Sequence, residues 1–386
     1  MKKYLFLAIL LRSLSTFSQG LPIVSCAESS TSNPNFSKAK QLQQALDEIT
    51  RLSVPGISMA IYSPEGWWLG SSGFAKIEDQ TPMQNCHLLY SQSVAKLYLA
   101  VGILKLVEEG KIELDASMTK YLPQKYRRYI ADSTKITVRM LMNHTSGIPE
   151  YNFAPAYVSK LLQHPEYDFT QEEYLAYIKG KPLDFPPGSK YAYRNTNYVI
   201  LSLIADSITG DHAKWITEKI FKPLDLTNTF YRYEPGYLTY TNLVNSYWDR
   251  HGDGAIENIS ALQRNNVACL YGDDGIVATP EDYVKFLKGL MEGKLLAASS
   301  MEQMKTFVKD KKGNPTYGLG LDYNITSGQI SYGHSGGGIA AGCQLYYFPE
   351  KNVYYFIGIN LGTITDSPLH VAVEKTLNEI YGILLR

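Results

Sequence analysis

Ser93 and Lys96 stand three residues apart at the head of the apolar run Ser93–Glu109, a spacing at which a lysine can take a serine's proton. Serine is a weak nucleophile until an adjacent base activates it. Residues three apart share one face of a helix, so Lys96 is expected over the first turn beside Ser93. The start of that helix would add backbone N–H groups and the positive end of the macrodipole, both suited to a developing oxyanion. Ser-x-x-Lys alone is a weak signal, since the chain repeats it at Ser37/Lys40 and Ser117/Lys120. The first of these opens an amphipathic segment and the second sits in a polar stretch. Only Ser93 opens a helix apolar enough, with Leu97, Leu99, Ile103 and Leu104, to shield a lysine and lower its pKa.

Two further patterns raise Ser93 above coincidence. Tyr193-Arg194-Asn195 follows the turn-rich Pro187–Ala192 loop, just ahead of an expected helix at Tyr198–Ile208. A tyrosine there can accept or relay the serine proton, and Asn195 can hold a substrate amide. Tyr240 and Asn242 repeat the spacing, so order matters more than the motif. His334-Ser335-Gly336 occurs once, at the end of an expected strand, and Gly337 after it could offer the second oxyanion N–H. His334, Ser335, Gly336 and Gly337 are therefore read as substrate-binding, beside the catalytic Ser93, Lys96 and Tyr193. Gly333–Gly337 also fits Gly-x-Ser-x-Gly, with Asp366 and His370 following in the order of a hydrolase triad. That elbow must run from strand into helix, whereas Ile339–Phe348 reads as a strand, and repeated βα units are missing.

In this order the three motifs resemble those of the serine β-lactamase and D-alanyl-D-alanine carboxypeptidase superfamily, in its class C and esterase-like branch. The likeness extends to Leu141–Gly147, Phe185–Gly188, Gly275–Asp282 and Tyr317–Gly320, and covers residues 40–384. The resemblance implies acylation of Ser93 and hydrolysis by water, with Lys96 and Tyr193 handling protons. It implies a penicillin-binding D-alanyl-D-alanine carboxypeptidase or a β-lactamase-like amide hydrolase. A carboxylesterase or D-aminopeptidase of the same fold, or a non-catalytic penicillin- or peptidoglycan-binding receptor, stays open. Two departures stand out. His334 occupies the place of a lysine in many β-lactamases, which makes efficient β-lactam hydrolysis less expected because histidine is largely neutral near pH 7. Gln92 takes the place of the usual glycine before the nucleophile. His144 is read as bracing its loop.

The elements needed to hold these residues can be outlined. Ser37–Arg51 has helical periodicity with Ser37 as a cap, and Gly56–Tyr62 and Trp67–Phe74 form a hairpin around Ser63–Gly66. Residues 114–275 are mostly helix and loop. Helix Glu281–Glu292 starts from Thr279 and Pro280; strands Gly318–Tyr323, Gln329–His334, Gly342–Phe348 and Val353–Asn360 precede a last helix at Pro368–Leu384. Strands at both ends with helices between predict an α/β (α+β) fold of the β-lactamase/transpeptidase type. Its antiparallel sheet recruits from both termini, and a mostly helical lobe is inserted. The expected boundaries are an α/β lobe of 37–80 and 276–386 and a helical lobe of 81–275.

Composition narrows the rest. The 386 residues are 45% hydrophobic and 19% charged, a globular balance, and Lys+Arg 37 cancels Asp+Glu 37. No net field recruits nucleic acid, and the 30 tyrosines suit a polar groove as well as a core. The partner expected is a small molecule or a peptidoglycan peptide. Met1–Lys3 and the apolar Tyr4–Leu11 mark residues 1–25 as a signal peptide, with 26–36 as a linker, so the chain is expected in the periplasm or cell envelope. Ile23–Cys26 is similar to a lipobox, which would tether the chain to the membrane through lipidated Cys26. In that case at most one disulfide can form among Cys86, Cys269 and Cys343, and the last two read as buried free thiols. No cysteine or histidine spacing fits a metal, and no cofactor is expected.

Overall fold

Leu42, Ala45, Leu46 and Ile49 recur at helical spacing, and in the computed structural model they are the buried face of α1 (Ala39–Arg51). The model describes residues 32–52 and 54–386. The signal segment and Cys26 lie outside the described residues. The segment before α1 differs from the expected tether and cap. Asn33 N–H bonds to Trp67 O at 2.7 Å, and Phe36 is buried. Ser37 does not cap α1; its backbone N–H and hydroxyl both donate to the Glu65 carboxylate, each at 2.8 Å. Charge-assisted hydrogen bonds to a carboxylate are stronger than the neutral bond in which a capping hydroxyl accepts a backbone N–H.

The alternating, fully buried sequence Gly-Ile-Ser-Met-Ala-Ile forms β1 (Gly56–Ser63), apolar on both faces because both faces are covered. Its hairpin partner is β2 (Gly66–Lys76), followed by the short β3 (Thr81–Pro82). The other six strands come from the C-terminal part: β4 (Val308–Lys309), β5 (Pro315–Tyr317), β6 (Asp322–Thr326), β7 (Gln329–Gly337), β8 (Gly342–Phe348) and β9 (Val353–Ile359). They complete one antiparallel sheet of order β3-β2-β1-β9-β8-β7-β6-β5-β4, with β1 beside β9 joining the two ends of the chain. This is the α/β fold with a sheet built from both termini. The final helix α5 (Pro368–Leu384) packs with α1 on one face, against Ile57, Met59, Ile61 and Ile357. On the other face lie α2 (Ala95–Glu108) and α4 (Pro280–Met291), where Tyr283 stacks on Phe356 at 4.2 Å.

Between β3 and α4 runs the mostly helical insertion, with α3 (Asn195–Thr209) as its longest helix. A small sheet of Leu89–Tyr90, Val277–Ala278 and Thr229–Phe230, unread in the sequence, ties its entry to its exit. The expected strand at Gly318–Tyr323 is mostly a turn: Gly318 N–H bonds to Leu321 O at 2.8 Å, and pairing resumes only at Asp322. Gly320 sits there with φ +75°, and a Cβ on it would lie 2.2 Å from the Ala100 Cβ of α2. That approach requires glycine. Residues 329–337 are one continuous strand leading into β8, so the strand-to-helix elbow of an α/β-hydrolase is absent at Ser335. Cys269 and Cys343 are buried free thiols. Among the described residues no helix is long and apolar enough to cross a membrane, and no cluster of side chains could hold a metal ion.

Candidate active site

Ser93 lies in a single 3-10 turn, Gln92–Val94, that runs directly into α2. The turn is entered through Gln92 in the left-handed region, φ +48°, an uncommon conformation for a residue with a side chain. Gln92 closes against the end of β7 and the residue after it: a Cβ on Gly336 would meet the Gln92 Cβ at 2.7 Å, and one on Gly338 its Oε1 at 2.2 Å. Gln92 therefore narrows the space beside the nucleophile.

One turn into α2, Lys96 is fully buried, and its Nζ donates to Ser93 Oγ at 3.0 Å and to the main-chain carbonyl of Asp273 at 2.8 Å. Burial lowers the lysine pKa from its ordinary value, with Asp273, Asp274, Glu150 and Asp322 pulling the other way. Removing an ammonium from water is costly enough to favour the neutral amine unless a counter-charge fully compensates. The same amine lies 5.3 Å from the ring centre of Tyr193. The Tyr193 hydroxyl is buried without a hydrogen-bond partner among the described residues. Burial raises its pKa well above the ordinary value, and the neighbouring Ser93 opposes this only in part. Ser93, Lys96 and Tyr193 thus converge, with the phenol free to take a new partner.

Tyr193 is positioned from behind. His144 is buried at φ +59°, and its ring packs 4.3 Å from that of Tyr193. Its Nδ1 accepts the Arg194 N–H at 3.2 Å, and burial depresses its pKa; it braces the loop as a neutral imidazole. Glu150 caps α3 from a distance, its carboxylate accepting the N–H groups of Asn195 and Thr196. The tyrosine motif therefore straddles the start of α3, three residues earlier than its periodicity indicates. The loop carrying His144 turns at Gly147, φ +78°, where a Cβ would lie 2.1 Å from Phe185 O. Gly147→Ala is expected to cost about 3 kcal/mol through left-handed strain and overlap. A denaturant titration reads this directly, and a loss below about 1 kcal/mol would show that the loop shifts freely.

The His-Ser-Gly motif divides. His334 is 2% exposed. Its Nδ1–H donates to the Ser335 carbonyl, and its Nε2 accepts from the Tyr317 hydroxyl at 2.9 Å. Burial lowers its pKa, so a neutral, fully engaged ring stands behind the site rather than in the groove, where the sequence placed it. Adjacent residues of a strand face opposite ways, and Ser335 is exposed on a separate hollow of about 270 Å3 that Gly336 also lines. Gly337 does reach the cleft with Ser93 and Asn195, where its N–H is the expected second oxyanion donor. Gly337→Pro, which removes that N–H, is expected to lower kcat about a hundredfold or more. An unchanged kcat in the folded variant would move the role elsewhere.

The cleft measures about 650 Å3 and is walled by Tyr157, Leu161, Trp248 and Ile339. The sequence reading missed its floor, Asp273 and Asp274. Burial raises their carboxyl pKa values to about 6 and about 7, against the pull of Lys96 on both and of the Gly275 N–H on Asp274. A signal existed: Gly272-Asp273-Asp274-Gly275 is a charged pair between glycines amid apolar segments, and both glycines take positive φ.

Comparison with known proteins agrees with this architecture. The family model described as Beta-lactamase matches residues 39–368. A provisionally named D-alanyl-D-alanine carboxypeptidase of Escherichia coli (strain K12) is 23% identical over 381 residues, 86% of this chain and 85% of that protein. A D-stereospecific amidohydrolase from Streptomyces sp. superposes with a TM-score of 0.73 at 27% identity, over 84% of this chain and 94% of its own. The D-amino acid amidase of Ochrobactrum anthropi SV3 shares the fold, with a TM-score of 0.76 at 22% identity over 89% and 98%. The chain belongs to the Beta-lactamase family and is a serine hydrolase of that fold.

Proposed function

We propose that the protein hydrolyses an amide bond of a small peptide-like substrate through an acyl-enzyme on Ser93. The observation that carries this reading is the 3.0 Å hydrogen bond from the sealed Lys96 amine to Ser93 Oγ. In the neutral state Lys96 accepts the serine proton as Oγ attacks the substrate carbonyl. The Ser93 and Gly337 N–H groups receive the oxyanion, and Tyr193 relays a proton to the departing nitrogen while taking the one held by the Lys96 ammonium, which leaves Lys96 neutral and Tyr193 protonated as the C–N bond breaks. Water then repeats the sequence on the ester, with Lys96 and Tyr193 returning the proton to Ser93. No cofactor enters any step.

Charge favours an amidase over a carboxypeptidase. No lysine or arginine lines the cleft, and the buried, neutral His334 offers no cation to a terminal carboxylate. The Streptomyces neighbour supports this reading by name, and the Escherichia coli relative favours the carboxypeptidase as the second reading. We propose further that the chain is exported, on the strength of its N-terminal segment, and works in the cell envelope. Mass-spectrometric peptide mapping after brief incubation with D-phenylalanine p-nitrophenyl ester tests the chemistry. A transient acyl adduct on the Ser93 peptide is expected; an adduct on Ser335 instead would overturn the mechanism.

A further inference from the structure

The active cleft contains buried hydrogen-bond acceptors that have no donor among the described residues. Asp273 is 4% exposed; its Oδ2 accepts from the Tyr151 hydroxyl at 3.0 Å, and its Oδ1 has no partner. Asn152, next in the chain to Tyr151, also lines the cleft, and its buried Oδ1 is equally unpartnered. An acceptor left unsatisfied in the interior costs about 1–3 kcal/mol, and more when it is charged. Two of them in one cleft point to a missing donor. The charged side chains lining the space are Asp273, Asp274 and Asp366, with no basic partner among the lining residues. The floor is therefore electronegative, and Gln92 Nε2 is an unpartnered donor on the same cleft. Its mouth is the reverse: Phe153 is 77% exposed and Ile364 58% exposed, facing the cleft from the two lobes. Side chains of this kind lose free energy to water until something apolar covers them.

On the acyl-enzyme reading above, we infer that the acyl half of the substrate carries a free ammonium, received by Asp273 Oδ1 and Asn152 Oδ1, and a bulky apolar side chain that seats against Phe153 and Ile364. An ammonium presents three N–H donors and no acceptor, which matches the two vacant oxygens and the sign of the floor. Ser93, Asn152 and Asp273 line the same cleft, and the main-chain carbonyl of Asp273 holds the Lys96 amine that bonds to Ser93 Oγ, so these oxygens belong to the space that the α-substituents of the reacting carbon would enter. Among the described residues no lysine or arginine lines the cleft to occupy that place. The substrate class is thus an aminoacyl amide with an unblocked amine, and N-acylated peptides ending in a carboxylate are poor substrates.

The test is protection of Ser93 from a fluorophosphonate probe, which reads binding whether or not the competitor turns over. D- and L-phenylalaninamide are compared with their N-acetyl forms. In the wild-type protein the better free-amine enantiomer is expected to halve the labelling rate at a concentration at least tenfold below that of its acetylated form. In Asn152→Ala and Asp273→Asn that ratio is expected to shrink towards one, whereas a general structural defect would weaken both competitors together. Equal protection by free and acetylated forms, no protection by either, or a ratio kept in both variants overturns the ammonium inference. Absence of any label on Ser93 overturns the acyl-enzyme reading itself, and this inference with it.

Discussion

Ser93→Ala is expected to lower kcat on any amide or activated ester by at least about 10^4-fold, because loss of a nucleophile in a cooperating set costs roughly as much as loss of the whole set. What survives is the contribution of the oxyanion donors and of substrate binding, not covalent catalysis. The substitution removes one hydroxyl from a partly buried turn whose backbone is set by Gln92 and α2, so folding should be untouched. The decisive measurement pairs steady-state rates with intact-mass analysis: the variant should bind substrate, form no adduct and unfold at the wild-type temperature. Acylation at the full rate in this variant would remove Ser93 from the mechanism.

Lys96→Met carries the second large effect. The side chain is fully buried, and among the described residues its hydrogen-bond partners are Ser93 Oγ and the Asp273 carbonyl. Methionine fills similar volume without a base, so kcat should fall by about 10^3 to 10^4, within the range that a positioned proton acceptor contributes. The pH profile separates this from a packing defect. Burial lowers the lysine pKa from its ordinary 10.5; the amine is then neutral, and able to accept a proton, at a pH where an exposed lysine is still charged. Wild-type kcat/KM should therefore rise with pH and level off below 10.5, and Lys96→Met should lose that limb. Stability should change little, since the apolar side chain relieves the desolvation of the amine but forfeits its hydrogen bond to the Asp273 carbonyl and its attraction to the surrounding carboxylates. A variant within tenfold of wild-type kcat would instead make Tyr193 the base. The unpartnered Tyr193 hydroxyl makes that outcome a defined alternative, and Tyr193→Phe in the same assay would then show the larger loss.

Among the described residues the five longest helices and the five longest strands were legible from pattern alone, whereas the short helices and the two- and three-residue strands were not. Helix α5 runs from Pro368 to Leu384, as its boundary proline and apolar spacing indicate, and Gly342–Phe348 pairs over its whole expected length. Both signals are local. The turn at Gly318–Leu321 was misread because its composition resembles a strand, while the close approach of Gly320 to Ala100 depends on a helix more than two hundred residues earlier in the chain. Ser37 was read as a helix cap for the same reason: its real acceptor, Glu65, arrives only when the β1–β2 hairpin folds back on the N-terminal segment.

The site divides along that line. Sequence by itself determined that Lys96 stands over Ser93, because a spacing of three in a helix is a short-range geometric fact, and it determined the order of the serine, tyrosine and histidine motifs. Tertiary structure decided everything that depends on burial and charge. Only folding brings the Asp273 carbonyl onto Lys96 and withdraws His334 behind Tyr317. Only folding sets Glu150 on the first turn of α3 and leaves Asp273 Oδ1 and Asn152 Oδ1 unpaired in an acidic cleft. The chain can state which groups are present. Their pKa values and their vacancies follow from desolvation and from partners far along the sequence, and neither exists until the two lobes close around the nucleophile.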